Sequence, residues 1–415
     1  MPTRQQPLRH AVPPALHTTM TPIRFDSRAF LEQHVQHTLD FYEGSAHDPA
    51  GGFFHYFKDN GHVYDRSHRH LVSATRFVFN WAQAFAHTRK PLYRDWTQHA
   101  LSHLQRFALP SGAQRGLSAW TLRDQQIEDA TVMAYGQAFV LLAVSHAHHV
   151  GCASAADVAN AFDRMNDAFW LGQQRAYADE ITPAGQLIDY RGQNANMHMC
   201  EACLAAHEFT QDPRYLARAM DLIERFAFDL ADQAGGMVWE HYRTDWSIDW
   251  DYNKDNPGNI FKPWGFQTGH QTEWAKLLLT AHAAAPDARL VERARQLHDR
   301  AYQHGWDSTN GGLIYGFAPD HQPCDTDKYF WVQAESFASA WRLWRVTQDP
   351  AYLAQYGATW QWSWTHLVDH QYGAWFRIVD ARGGKLEDTK SPAGKTDYHT
   401  MGACWDVMKA GGLAA

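Results

Sequence analysis

TQDPRYLARAMDLIERFA, residues 210–227, returns as TQDPAYLAQYGATWQWSW at 347–364, and a looser copy, RKPLYRDWTQHALSHLQRFA, stands at 89–108. In each, a proline opens a run of helical period, and in the first two an Asp precedes it. Asp before Pro marks a helix start, because the Asp side chain caps a free N–H and proline lacks an N–H where none is needed. A helix start that recurs along a chain points to construction from repeated units.

Between the copies the same organisation continues. From Phe25 onward the sequence reads as amphipathic helices, among them SATRFVFNWAQAFAH, TVMAYGQAFVLLAVSHAH and AESFASAWRLWRVT, with apolar residues at i, i+3, i+4 and i+7. Short Gly-led aromatic pieces separate them: GGFFHYF at Gly51, GLSAWTL at Gly116, GQLIDYR at Gly185, GGMVWEHY at Gly235, GGLIYGF at Gly311 and GAWFRIV at Gly373. Six recurrences at intervals of roughly 50 to 75 residues suggest six units, each an inner helix, a Gly-aromatic hairpin and an outer helix. Twelve such helices close into an (α/α)6 barrel, an all-α toroid with short β-hairpin-like loops on one face. Repeats alone leave an open α-solenoid as the alternative. The expected organisation is one catalytic domain over residues 25–415, preceded at 1–24 by a Pro-, Arg-, His- and Thr-rich leader that is disordered or is bypassed by a second start at Met20.

Composition narrows the function. The 415 residues are 45% hydrophobic and 20% charged, with no run of eighteen apolar residues, so a soluble globular chain is expected rather than a membrane or disordered one. The net charge of -8, with no dense Lys/Arg run, argues against nucleic acid and for an uncharged ligand. The chain holds 18 Trp, 17 Tyr and 22 Phe, many beside polar groups as in WEHYRTDWSIDWDYNKDN at 239–256. Such pairs suit sugar rings, whose C–H faces stack while their hydroxyls hydrogen-bond; packing between helices accounts for the other aromatics. Five cysteines without framework spacing, and an N-terminus without an apolar signal core, lead to the expectation of a cytoplasmic protein. Cys200 and Cys203 form a C-x-x-C inside NMHMCEACLAAHEF, where a buried helical position competes with redox or metal chemistry.

Chemistry-bearing residues stand out against the apolar helices. GFQTGHQTEWAKLLL at 265–279 places His270 and Glu273 in the first turns of an inner helix, and YRGQNANMHMCEACL at 190–204 places His198 and Glu201 in the same relation. Bundle di-iron sites use Glu and His three apart, in the opposite order, so a metal is one reading of the two H-x-x-E pairs. The other is that each carboxylate orients its imidazole, Glu273 for His270 and Glu201 for His198, fixing a tautomer able to take or give a proton near neutral pH. KTDYHTMGACWDVM at 395–408 offers His399 before the last inner helix. HRHLVSATRFVFNW at 68–81 offers Arg76 on an apolar helix, facing a polar pocket or locked in a structural ion pair. In YFWVQAESFASAW at 329–341, Trp331 and Glu335 lie one turn apart, the first placed to stack a sugar and the second to bind a hydroxyl.

YRGQNANMHMCEA, DYNKDNPGNIFKPWGFQTGHQTEWAKLLL, WVQAE and DYHTM resemble the N-acylglucosamine 2-epimerase superfamily, particularly its mannose isomerase and aldose–ketose isomerase branch, in order from about Arg69 to the C-terminus. The resemblance implies an (α/α)6 barrel that acts, with neither metal nor cofactor, on the C1–C2 end of an open-chain monosaccharide. It implies His270 and His399 as the catalytic histidines, and Arg76, Tyr135, Asn194, His198, Glu273, Trp331 and Glu335 as pocket residues, with Glu201 beside His198. Two positions depart from the pattern: Val72 stands where relatives carry a tryptophan, and Gln137 where some carry a histidine.

The implied reaction interconverts D-mannose and D-fructose, or D-lyxose and D-xylulose, through an enediol. His399 shuttles the proton between C2 and C1, His270 oriented by Glu273 opens the ring, and Arg76 stabilises the enediolate oxygens with His198 and Tyr135 in support. A sugar 2-epimerase uses the same two histidines from opposite faces. A glycoside hydrolase would use a carboxylate pair from Glu201, Glu273 and Glu335, and an inert sugar-binding repeat protein would use none of them. The expected partner is a monosaccharide, with no nucleic acid or membrane, in a monomer or small homo-oligomer. DYNKDNP, from Asp251 to Pro257, reads as a capped polar turn, a lid or an oligomer contact.

Overall fold

The computed structural model describes residues 23–112 and 114–414; most of the expected leader, with Met20, lies outside them. The helices are α1 (Arg28–Glu43), α2 (Leu71–Thr88), α3 (Pro91–Leu104), α4 (Ala134–His149), α5 (Ala155–Phe169), α6 (Asn194–Thr210) and α7 (Pro213–Ile223). A π-helical stretch, Glu224–Leu230, joins α7 to a last turn, α8 (Ala231–Gln233), in one rod. There follow α9 (Thr268–Ala284), α10 (Ala288–Gly305), α11 (Phe330–Thr347), α12 (Pro350–His366) and α13 (Tyr398–Ala410).

The TQDP motif is the hinge between two layers. Gln211 and Gln348 end α6 and α11 in the left-handed conformation, with φ of 61° and 60°, and their N–H groups bond back to His207 and Trp344. Asp212 and Asp349 then cap α7 and α12 by accepting from the N–H of Arg214 and Ala351. A left-handed residue followed at once by an N-cap turns the chain back on itself, so each inner helix is followed by an antiparallel outer one. In the looser copy Arg89 takes the left-handed place, with φ of 60°, and Lys90 precedes Pro91 without a capping side chain.

Around the axis α2, α4, α6, α9, α11 and α13 pack each on the next, and α13 returns to α2. Closure rules out the open solenoid: this is an (α/α)6 barrel. The outer helices α3, α5, α7, α10 and α12 each cover the inner helix before them, and α1 covers α13, where the N–H of Ala414 bonds to the carbonyl of Asp26. The inner helices are buried almost all round, as α9 is at every position from Thr268 to Leu279, whereas α7 buries only Tyr215, Ala219, Leu222 and Ile223. Several of the tryptophans fill the space between the layers, as in Trp81 against Trp96 and Phe337 against Trp360. All five cysteines are free, with Cys200 and Cys203 buried in α6.

One expectation is corrected. The Gly-aromatic hairpin does not link an inner helix to its outer partner; it follows the outer helix and leads into the next inner one. The strand before each inner helix pairs with the strand of the following hairpin, as Lys328–Tyr329 does with Ile378–Val379, and Thr389–Ser391 pairs with Tyr56–Lys58 to close the round. The piece at Gly185 lies on the return limb of its hairpin. In that unit Glu180–Ile181 does the pairing, after a turn at Arg175 with φ of 50°. A side-chain amide on the first turn of four inner helices clasps both backbone groups of one hairpin residue: Gln137 on Ser118, Asn196 on Tyr177, Gln271 on Val238 and Gln333 on Leu313. Gln137, one of the two departures from the family pattern, therefore works on the backbone. These clasps fix the loops over the N-terminal ends of the inner helices, where the sequence candidates converge.

Candidate active site

Arg76, Tyr135, Asn194, His198, His270, Glu273, Trp331 and His399 line one cavity at that end of the barrel. They come from α2, α4, α6, α9, α11 and α13, so the closed ring is what brings them together. Trp331 lies between the two candidate histidines, its ring centre 5.0 Å from that of His270 and 5.7 Å from that of His399. Gly269 admits this packing, since a Cβ there would collide with the Trp331 ring.

His399 is held from behind. Its Nδ1 lies 2.7 Å from Glu335 Oε1, and its Nε2 lies 3.3 Å from Arg76 Nη2. A guanidinium only donates, so Nε2 carries the lone pair and Nδ1 the proton given to Glu335. Burial first, then the charges of Arg76, His198 and Lys276, hold this imidazole well below the usual histidine range, neutral at pH 7. The backbone before α13 is strained to aim it: Thr396 and Asp397 are both left-handed, with φ of 43° and 50°. Conformations of this kind cost about 1–3 kcal/mol each and persist where their surroundings enforce them. Here Asp397 accepts from Tyr42 Oη at 2.6 Å and from Lys395 Nζ at 2.6 Å.

His270 has a different partner from the expected one. Its Nδ1 lies 2.8 Å from Glu240 Oε1, while Glu273, one turn along α9, makes no bond to it. Trp274 donates its indole N–H to Gln193 Oε1, which turns the Gln193 amide N–H₂ onto Glu240 Oε2 at 3.0 Å. The Gln193 amide also lies 3.0 Å from His270 Nδ1, but the shorter contact is to the Glu240 carboxylate, which can only accept, so Nδ1–H donates to Glu240 and Nε2 is left for the cavity. Glu240 arrives instead from the hairpin before α9, in WEHY. The sequence signal for it is an acid inside the Gly-led aromatic piece GGMVWEHY, whose aromatics suit sugar stacking and so mask the carboxylate.

Both oxygens of Glu273 are buried without a hydrogen-bond partner. Burial, then repulsion from Glu335, raises this carboxyl well above the usual carboxylate range. The expected link between His198 and Glu201 is present at 3.0 Å, but Glu201 faces away from the cavity, its other oxygen 2.6 Å from Tyr398 Oη. Glu335 likewise stands behind His399 rather than among the cavity walls, with its second oxygen on Lys276 Nζ. Neither is among the residues that line the cavity. Arg76 has no carboxylate within ion-pair distance among the described residues. It donates to Gly394 O and to Tyr135 Oη at 3.2 Å, and its guanidinium lies over the rings of Phe139 and Tyr398. The buried Asn194 Oδ1 is also unpaired, and Val72 is part of the wall.

DYNKDNP itself stays off the cavity; its continuation brings Ile260, Phe261 and Pro263 over the mouth. Phe261 packs 6.1 Å from the ring of His70 and 5.9 Å from that of Trp120, on the other side of the barrel mouth. The donor triads His198, Glu201, Glu273 and Glu273, Glu335, His399 are close enough to surround a cation, but the Lys276 ammonium already supplies positive charge to their carboxylates. No helix among the described residues is long and apolar enough to cross a membrane.

The profile of the N-acylglucosamine 2-epimerase (GlcNAc 2-epimerase) family matches residues 52–403. A D-mannose isomerase of Marinomonas mediterranea is 48% identical over 388 residues, 93% of this chain and 98% of that protein. A crystal structure of a D-mannose isomerase superposes with a TM-score of 0.91 at 48% identity, covering 94% of this chain and 100% of the other. The cellobiose 2-epimerase of Spirochaeta thermophila shares the fold, with a TM-score of 0.80 at 22% identity over 92% of this chain and 98% of the other.

Proposed function

The chain belongs to the N-acylglucosamine 2-epimerase family, and on that premise we propose that it interconverts D-mannose and D-fructose through an enediol, by histidine acid–base chemistry without a metal. The observation that carries this reading is the state of His399: neutral, with Nδ1–H tied to Glu335 and the Nε2 lone pair turned to the cavity beside a cationic donor. The relative's name, D-mannose isomerase, supports the choice of sugar.

In this reading His270 Nε2 takes the O1 proton of the ring form and returns it to O5, giving the open-chain aldehyde. His399 Nε2 then removes the C2 proton, the C2–H electrons form the C1–C2 double bond, and O1 becomes an oxyanion. Arg76 Nη2 and the Tyr135 hydroxyl are the donors for that charge, and preorganised donors in a buried site are worth far more than in water. His399 returns the same proton to C1 as O2 becomes the carbonyl, and the proton lost from O2 passes to O1. A positioned general base contributes about 10²–10⁴ in rate. Glu273, whose carboxyl is raised by burial and has no partner, donates in this reading to a sugar oxygen, and Asn194 Oδ1 accepts from a hydroxyl. The glycoside hydrolase reading needs two carboxyl groups on the cavity, whereas Glu201 and Glu335 are engaged behind histidines.

The test is proton NMR of EDTA-treated protein with D-mannose in deuterated water. Fructose as the product is the expected outcome. Glucose as the main product would make the chain a 2-epimerase, and an unexchanged C2 proton with no product would overturn both.

A further inference from the structure

Behind the cavity the barrel axis is filled by charge, and the far end is open. A second cavity, of about 470 Å³, enters from the C-terminal ends of the inner helices and is lined at its floor by Lys276, Glu335, Glu201 and Tyr398. The first cavity is lined by His399, His198 and Glu273. The two are separated by a single layer of ionisable side chains, and the His399–Glu335–Lys276 chain crosses it.

Lys276 is nine-tenths buried on α9 and has no part in the steps above. Its Nζ bonds to Glu335 Oε2, on the side away from His399. We infer that Lys276 is a positioning residue for the isomerisation: it keeps Glu335 a carboxylate, and so keeps the proton of His399 on Nδ1 and the lone pair on Nε2. The inference rests on the isomerase reading above.

The electrostatics give the reason. The Glu335 carboxyl is raised above the usual carboxylate range, by burial first and then by Glu201 and Asp406, and Lys276, bonded to it, is the charge that pulls it back down. Lys276 is itself opposed by burial, but the neighbouring carboxylates, Glu335 first, outweigh that and raise its pKa, so it stays charged. Of the other cations near the site, Arg342 is paired with Asp406 and Arg76 lies on the sugar side of His399. Without Lys276, Glu335 takes up a proton at neutral pH and donates it to Nδ1. The imidazole then carries its proton on Nε2 and cannot accept one from C2. A catalytic histidine held in the wrong tautomer loses about 10⁴ in kcat in the best-studied triad.

The experiment compares wild type, K276M, K276R and K276A in the conversion of D-mannose, with far-UV circular dichroism of each. Expected for K276M are a kcat lower by about 10² or more with KM within about threefold, and an acid limb of the pH profile moved to higher pH, because Glu335 ionises only there. K276R retains most activity, since it keeps the cation. In K276A, ethylammonium entering from the far cavity restores kcat in a saturable way. K276M with wild-type kcat and an unmoved acid limb would overturn the inference, as would a loss that neither arginine nor ethylammonium relieves. Should the single variants not fold, K276M/E335Q removes both charges together, and wild-type kcat in it would equally overturn the role. A wild type that turns over no aldose fails the isomerase reading instead, which separates the two.

Discussion

Glu240 shows what a single carboxylate does for a base. It stands 2.8 Å from His270 Nδ1, where in the proposed reaction its charge would stabilise the imidazolium formed when Nε2 takes a proton. Glu240→Gln preserves an acceptor for Nδ1–H but removes the charge. It is expected to lower kcat by about 10- to 100-fold with little change in KM, the usual cost of losing the partner behind a functional histidine; unchanged kcat in steady-state kinetics would contradict this. At this scale the sequence was half legible. His270, His399, Arg76, Tyr135, Asn194, His198, Glu273 and Trp331 all meet at one cavity, because helix starts in a toroid share one face. The partnerships were not legible. H-x-x-E spacing suggested that Glu273 serves His270, yet the carboxylates that serve His270 and His399 come from a hairpin and from a neighbouring helix. Contacts of that kind depend on how helices are rotated in the ring, which no local pattern states.

At the scale of elements, the inner helices carry amides where a core would favour leucine. Gln333 and Leu313 are both fully buried, and the amide satisfies the N–H and the C=O of Leu313 at 2.9 and 2.7 Å. Gln333→Leu leaves both backbone groups buried and unpaired, at about 1–3 kcal/mol each. Urea unfolding should therefore show a loss of roughly 2–5 kcal/mol; a variant as stable as wild type would show that the clasp is idle. The repeated helix starts and the Gly-led hairpins were readable because they rest on local rules, Asp–Pro capping and positive φ. The order of pieces within a unit was misread. The hinge between inner and outer helix is so short, a left-handed residue and a cap, that the sequence shows no loop there.

For the whole molecule, burial of neutral histidines links stability to pH. His34, His70 and His146 are lowered to about 3, His298 to about 4, and His55 and His399 well below their ordinary value, chiefly by burial. Below pH 6.5 the unfolded chain protonates these groups and the folded chain does not, so stability falls as pH falls, by up to about 1.4 kcal/mol per pH unit for each histidine. Asp179, raised to about 8, and Glu273, raised well above its usual range, act in the opposite sense between about pH 8 and pH 4. The histidines outnumber them. Thermal unfolding should show a midpoint that drops steeply between about pH 6.5 and pH 4.5; a flat or rising midpoint would contradict the neutral burial of these groups. The closed ring was expected from the repeat count, and its closure at α13 against α2 is what makes a single cavity of residues drawn from the whole chain.

That cavity is claimed to work with one base on one face of the sugar. The direct measurement uses D-mannose carrying deuterium at C2, converted in ordinary water, with the C1 position of the fructose read by NMR. Deuterium found at C1 above the solvent level in the wild type, and neither product nor exchange with His399→Asn, is the predicted result. Fructose formed by the His399→Asn variant at the wild-type rate would contradict the account.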